Sequence, residues 1–234
     1  LEKDDIDFIF LSETWCAPGK SSRLTPNLCW TREVERRTPV GHHPYGYSII
    51  FNPGKAKKED FEIIDVSNED RQRNCVTIKF KGLQFICCYA SPNENTELAT
   101  MLQETRRNLI QEIPTFLIGD FNARHTEMND VVTNGNGRVL QEFIVSNGLE
   151  WIKPSTGRWT FLTHHGRSAI DHVIANTYGA SIIGNVKVCE EVNMNSDHKA
   201  VIFDCSEIPH SNSVPIIRPW SRFRMRDQMV QFEC

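Results

Sequence analysis

Apolar residues along this chain change period several times, and each change marks an element. Residues 6–11 form an apolar run broken only by Asp7, the pattern of a buried strand that delivers Glu13 just past its end. Tyr47–Phe51, residues 61–66, Cys75–Phe80 and Leu83–Tyr89 read as further strands separated by Gly, Pro, Asn and Asp, and Lys81-Gly82 makes a tight hairpin turn. The period then lengthens. Across residues 96–113, Leu98, Met101, Leu102, Leu109, Ile110 and Ile113 fall on one helical face, and Pro114 ends the helix. Residues 115–119 return to strand. Val139, Leu140, Phe143 and Ile144 mark a second helix, closed by Asn147-Gly148 as a left-handed C-terminal cap. Residues 169–175, 186–189 and 199–204 complete the strands. Many strands with few, dispersed helices predict an α/β arrangement, but periodicity alone does not set the order of the layers.

One domain is expected over residues 1–207, because 234 residues with 39% hydrophobic content can bury a sizeable core. Residues 208–219 carry prolines with Ser and Asn and read as a linker. Residues 220–232 alternate aromatic and basic side chains, a composition that suits either nucleic-acid binding or disorder. No apolar stretch approaches the ~20 residues of a bilayer span, so no membrane partner is expected. The chain opens Leu1-Glu2-Lys3-Asp4-Asp5, with no signal-peptide pattern, and is expected to be a fragment of something longer. Eight cysteines without a C-x-x-C pair are read as reduced, buried thiols; Cys87 and Cys88, adjacent on a strand, point to opposite faces and cannot share a metal. A net charge of −4 and a pI near 6.1 argue against coating nucleic acid through bulk charge. Local phosphate contact through Arg71, Arg73, Arg106, Arg107 or Arg124 stays open, as does a solvated face for each.

Candidate chemistry lies in short polar motifs, every one at a strand end or in the loop after it. They run Ser12-Glu13-Thr14-Trp15, Tyr89-Ala90-Ser91-Pro92-Asn93, Gly119-Asp120-Phe121-Asn122, Ser168-Ala169-Ile170-Asp171-His172 and Ser196-Asp197-His198. A carboxylate and an amide two residues apart can hold a nucleophile, and a distant Asp-His pair can complete a phosphate-cleaving site. The pairs His42-His43 and His164-His165 lack Cys or carboxylate partners at ligand spacing and are expected as surface histidines, not zinc ligands. In this order the motifs resemble the endonuclease/exonuclease/phosphatase superfamily, and most of all the endonuclease domains of non-LTR (LINE-type) retrotransposons, over about residues 6–203.

The resemblance implies two packed β-sheets flanked by helices, a four-layer DNase I-like sandwich, with the active site at one rim. The family's first strand has no counterpart ahead of Leu1, so that strand is expected to be missing and its metal-side Asn with it. Glu13 is implied as the main metal ligand and Asp197 as an auxiliary one, for Mg²⁺ with Mn²⁺ as a substitute. Asp120 is implied as the group that moves a proton, which proton being open, and Asn122 as the residue that orients the attacking water. His198 is implied at the scissile phosphate with Asp171 fixing its tautomer, and Tyr89 as a phosphate-facing tyrosine, with a place in the core as its alternative. Asn93, Thr160 and Ser196 are implied at the substrate, where Arg124 is placed as a local phosphate contact, whereas His172 is expected to face away from the site. The implied partner is double-stranded DNA, nicked to prime reverse transcription, with residues 208–234 leading into a covalently continuous reverse transcriptase. Cytoplasmic synthesis and a nuclear site of action follow from that reading. An apurinic-site repair nuclease, a phosphatase or a catalytically degenerate fragment are the alternatives on the same fold.

Overall fold

The computed structural model describes residues 6–14, 26–32, 46–64, 75–92, 95–189 and 196–206. Residues 208–234, and with them the expectations for the linker and tail, lie outside the described residues, as do His42, His43, Arg71 and Arg73. The larger sheet has six strands in the order β4 (Phe61–Ile64), β5 (Cys75–Phe80), β6 (Leu83–Tyr89), β7 (Thr115–Asp120), β11 (Asp171–Ala175), β8 (Glu150–Trp151). A second sheet runs β1 (Phe8–Ser12), β3 (Tyr47–Phe51), β2 (Leu28–Arg32), and two hairpin pairs, β9 (Phe161–Thr163) with β10 (Gly166–Ser168) and β12 (Lys187–Cys189) with β13 (Ala200–Ile202), complete the strands. The β5–β6 hairpin turns at Lys81 (φ 48°) and Gly82 (φ 79°), and two successive positive φ values match the twist of the flanking strands.

Two apolar layers hold these sheets. Between the sheets, aromatic rings interlock: Phe8 lies 5.3 Å from Phe85 and from Phe80, Phe85 stacks on Phe116 at 5.4 Å, and Phe116 meets Phe203 at 5.8 Å. On the outer face of the six-stranded sheet, Leu98, Met101 and Leu102 of α1 (Asn95–Thr105) and Leu140 and Ile144 of α2 (Gly135–Ser146) pack against Ile86, Cys88 and Leu117. Cys87 falls in the first layer and Cys88 in the second, as strand alternation requires. The third helix, α3 (Thr177–Ile182), lies against Thr115, Phe116 and Ala175. The described cysteines Cys29, Cys75, Cys87, Cys88, Cys189 and Cys205 are all free thiols. None of the described helices is long and apolar enough to cross a membrane.

Departures from the sequence reading have local causes. The helix expected over residues 96–113 stops at Thr105 and passes through a 3-10 turn; farther on, Ile110 O and Ile113 O accept from Asn176 Nδ2 at 2.9 and 2.8 Å, which anchors this segment to the end of β11. Residues 169 and 170 stay outside β11 because their N–H groups donate to Asp130 Oδ2 and Thr160 Oγ1. β1 is half-buried along its length, not buried. The short strands β8, β9 and β10, and α3, were not legible as periodicities, since two or three residues carry no alternation and Gly179 interrupts α3; in β2 a register shift between Leu28 and Trp30 breaks the alternation.

Candidate active site

Neighbouring strand ends build the site. β6 and β7 run parallel with Tyr89 opposite Asp120, and β11 runs antiparallel to β7 with Asp171 opposite Asp120. Residues in direct register share a face, so Tyr89, Asp120 and Asp171 form a row across the rim. That face is the inner one, because Phe116 and Ile118, which alternate with Asp120 along β7, belong to the layer between the sheets. The Tyr89 side chain is buried in this row.

Past β7 the chain bends sharply at Asn122, whose φ of 46° is a left-handed conformation that Asn adopts more readily than most residues. There its backbone N–H donates to Asp120 Oδ1 at 2.8 Å and its Nδ2 donates to Asp120 Oδ2 at 3.2 Å and to Ala90 O at 2.9 Å. His198 arrives from the segment before β13. Its ring packs edge-on against Phe161 at 4.9 Å, and a backbone bridge joins the two residues. Nδ1 sits 3.1 and 3.2 Å from the two oxygens of Asp171, so Nδ1–H donates to that carboxylate and Nε2 is turned toward Asp120, 3.8 Å from Oδ2. Donor atoms of Asp120, Asp171 and His198 all lie within 4.8 Å of one another.

The electrostatics follow from this crowding. Burial first, then the charge of Asp171, hold the Asp120 carboxyl well above the usual carboxylate range; His198 and the Asn122 N–H pull it back, and Glu13 pushes it further up. For His198, burial opposes the charged form, but the hydrogen bond and charge of Asp171, with Asp120 and Glu13 behind them, prevail and raise its pKa to about 9. A folded-state pKa above the unfolded value of 6.5 means that the native protein binds this proton more tightly. The resulting stabilisation is complete below about pH 6.5 and is lost as pH rises through about 9. In chelator, the stability advantage of the wild type over His198→Gln should therefore shrink by about 2–3 kcal/mol between pH 6 and pH 10. Urea melts at the two pH values test this; an equal difference at both would remove the Asp171–His198 pair as its source.

Glu13 stands just beyond β1 with φ 53°, and its charge acts on both Asp120 and His198, although its oxygens are not in the converging set. Glu13, Asp120 and Asp171 thus oppose carboxylates to a single imidazolium, and an oxygen-rich, net-negative donor set fits a hard divalent cation. Asp197, expected as an auxiliary ligand, is exposed and outside that set. Ser196 Oγ accepts the His198 backbone N–H at 3.1 Å, which leaves it at the site as a turn residue.

Other expected substrate contacts have different work. Thr160 Oγ1 is buried and accepts the N–H groups of Ile170 and Asp171, both at 3.0 Å, so it sets the start of β11. The Arg124 guanidinium is tied to Asp130 by two bonds, Nε to Oδ2 at 3.1 Å and a terminal nitrogen to Oδ1 at 2.9 Å, and is not a free phosphate grip. Burial works against charge on Asp130, but Arg124 and the N–H groups of Ala169, Val132 and Val131 hold its pKa below the usual range. Asn93 lies outside the described residues. His172 faces away as expected: it is buried, Nδ1 accepts from Trp151 Nε1 at 3.2 Å, Nε2 donates to Ala123 O at 2.8 Å, and burial lowers its pKa. His164 and His165 are exposed. The sequence reading passed over Asp130, Asn134 and Asn136; for the two asparagines the available signal was Asn134-Gly135-Asn136-Gly137 ahead of an apolar helical stripe, an N-cap pattern.

Comparison with known proteins agrees with this geometry. The structure is similar to the endonuclease domain of TRAS1, a telomere-specific non-LTR retrotransposon, at a TM-score of 0.56 and 18% identity over 75% of this chain and 78% of that one. It is also similar to the 3'-5' exonuclease NExo from Neisseria meningitidis, at 0.65 and 16% over 88% and 92%. The 3' phosphatase NExo from Neisseria bound to a product DNA hairpin gives 0.63 and 15% over 88% and 91%. No curated protein sequence matches. At these identities the structures establish a DNase I-like sandwich fold. A family model described as endonuclease-reverse transcriptase matches residues 83–202, more than half of the chain and the span that holds Tyr89, Asp120, Asn122, Asp171 and His198. The chain therefore belongs to the endonuclease-reverse transcriptase family, within the endonuclease/exonuclease/phosphatase superfamily.

Proposed function

We propose that this protein is a divalent-metal-dependent DNA endonuclease that hydrolyses one phosphodiester of double-stranded DNA and leaves a 3′-hydroxyl to prime reverse transcription. The observation that carries this reading is the Asp171–His198 pair turned onto buried Asp120 at the rim of a DNase I-like sandwich. His198 is protonated at neutral pH, because its pKa is raised to about 9, and so meets the scissile phosphate as a cation whose orientation Asp171 sets. Asp120 accepts or donates the proton of the attacking or leaving oxygen, Asn122 orients the attacking water, and Tyr89 and Ser196 bound the phosphate. Glu13, beside the Asp120 and Asp171 carboxylates, would hold Mg²⁺, or Mn²⁺ in its place, which supplies charge stabilisation to the phosphoryl oxygens when bound. In the full-length protein the domain is continuous with a reverse transcriptase and acts on chromosomal DNA in the nucleus.

A second reading, an apurinic-site repair nuclease or phosphatase, draws on the similarity to NExo at a TM-score of 0.65. Supercoiled-plasmid nicking in Mg²⁺, run beside an abasic duplex and a 3′-phosphate oligonucleotide, separates the readings. The plasmid should be nicked, and a preference for either oligonucleotide by more than about tenfold would favour the second reading. Glu13→Gln, which removes an anionic oxygen without changing shape, should raise the Mg²⁺ concentration for half-maximal nicking about tenfold and leave DNA affinity nearly unchanged. An unshifted metal titration would move the cation elsewhere.

A further inference from the structure

We infer that Asn134 is a positioning residue for the reaction: from the start of α2 it holds Asn122 in its left-handed conformation and, through it, sets the Asp120 carboxylate. The inference rests on the nuclease reading above for its kinetic consequence and on geometry for the rest. Asn134 is the N-cap of α2, and its side chain has two faces with different duties. Oδ1 accepts the N–H of Gly137 at 2.7 Å, which caps the helix, and the N–H of Arg124 at 3.0 Å. Nδ2 donates to the carbonyl oxygen of Asn122 at 2.9 Å. The backbone N–H of Asn134 donates to Arg124 O at 3.0 Å, closing the loop onto the helix.

The bonds run in series. Asn134 grips the carbonyl of Asn122, and Asn122 gives its N–H to one oxygen of Asp120 and its Nδ2–H to the other. Without a grip on its carbonyl, Asn122 would be free to leave φ 46° for an unstrained region and take both donors off the carboxylate. The anchor is rigid because Leu140 and Ile144 of α2 are packed into the layer beneath the sheet. Contact at the helix start is also tight: a Cβ at Gly137 would collide with the carbonyl oxygen of Arg124. Asn136 reinforces the same junction. It is buried, and its Nδ2 donates to Ser91 O and Phe121 O, both at 3.2 Å, which ties the exits of β6 and β7 together. Its Oδ1 is buried without a partner among the described residues, a desolvation cost that a residue chosen for stability alone would not carry.

Capping and gripping can be separated by chemistry. Ser and Asp cap helices about as well as Asn but bring no amide donor. In the full chain, Asn134→Ser and Asn134→Asp should melt close to wild type, lose about tenfold or more in kcat for plasmid nicking, and keep KM for DNA within about twofold. Amide exchange supplies a readout that does not depend on activity. The Asn122 N–H should exchange about tenfold faster or more in both variants, whereas Leu140 and Ile144 should stay protected. A kcat within about twofold of wild type, or an Asn122 amide protected as in wild type, overturns the inference. If the Asp variant fails to fold, the Ser variant decides. If the wild type itself does not nick DNA, the nuclease reading fails, and Asn122 exchange alone decides whether Asn134 positions this loop.

Discussion

Asp120→Asn should cost about 10²-fold or more in Mg²⁺-dependent nicking while raising the melting temperature of the metal-free protein. Both effects come from the same atoms. The carboxyl is buried beside Asp171, so its folded-state pKa lies well above the unfolded value of 3.8. A raised carboxyl pKa means that the native state binds the proton more tightly than the unfolded chain, and stability therefore falls as pH climbs from about 4 through the folded value. At pH values above that range the ionised side chain is a standing cost to the fold. Asn keeps the shape and still accepts the Asn122 N–H at Oδ1, now 2.8 Å, and gives up only the longer 3.2 Å bond from Asn122 Nδ2, which retains Ala90 O as acceptor. It carries no charge and transfers no proton. Each kcal/mol regained should lift the melting point by ~2–4 °C in a chain of this size. Calorimetry in chelator and plasmid nicking in Mg²⁺ are the paired measurements. Nicking within a few-fold of wild type would remove Asp120 from the chemistry, and a lower melting point would refute the electrostatic account.

Gly119→Ala should destabilise the protein by about 3–5 kcal/mol, a large share of the 5–15 kcal/mol typical of a domain. Gly119 precedes Asp120 with φ 136°, a region that residues with a Cβ rarely enter. A methyl group there would be driven into the carbonyl oxygen of Cys88 on β6, with the Cys88 backbone nitrogen also in the way. The obstacle is backbone in the middle of a sheet and has no rotamer to move into, so the strands must part or β7 must twist. Either change displaces Asp120 from Tyr89, its register partner. Urea unfolding of the variant is the test, and a midpoint near that of wild type would mean that the rim is more plastic than this packing allows. The glycine of the Gly-Asp-Phe-Asn motif thus has a packing reason for its place.

Much of the fold was legible because it is written in local periodicity. Tyr47–Phe51, Cys75–Phe80 and Leu83–Tyr89 are strands with the expected ends, and the Lys81-Gly82 turn and the Gly148 cap (φ 62°) are where the turn chemistry puts them. Illegible elements were those whose hydrogen bonds are decided at a distance. Residues 109–113 have a helical apolar stripe, yet the helix has already ended at Thr105, and Asn176, which follows β11, fixes the segment through Ile110 O and Ile113 O. The motifs marked Asp120, Asn122, Asp171 and His198, but the resemblance also placed Thr160 at the substrate, and positive charge alone left Arg124 open as a phosphate contact. Thr160 spends its hydroxyl on the start of β11 and Arg124 its guanidinium on Asp130, and residue type alone does not tell a buried partner from a bound phosphate.

By itself the sequence determined which residues could do chemistry and that each would stand at the end of a strand, because strand pattern and motif are both properties of short segments. Tertiary structure alone decided who meets whom. It brought Asp171 to His198 across 27 positions, Asn134 to Asn122 across 12 and Asn136 to Ser91 across 45. Those pairings depend on strand order, register and the packing of α2 on the sheet, and such terms are set by the burial of the whole core rather than by any stretch of the chain.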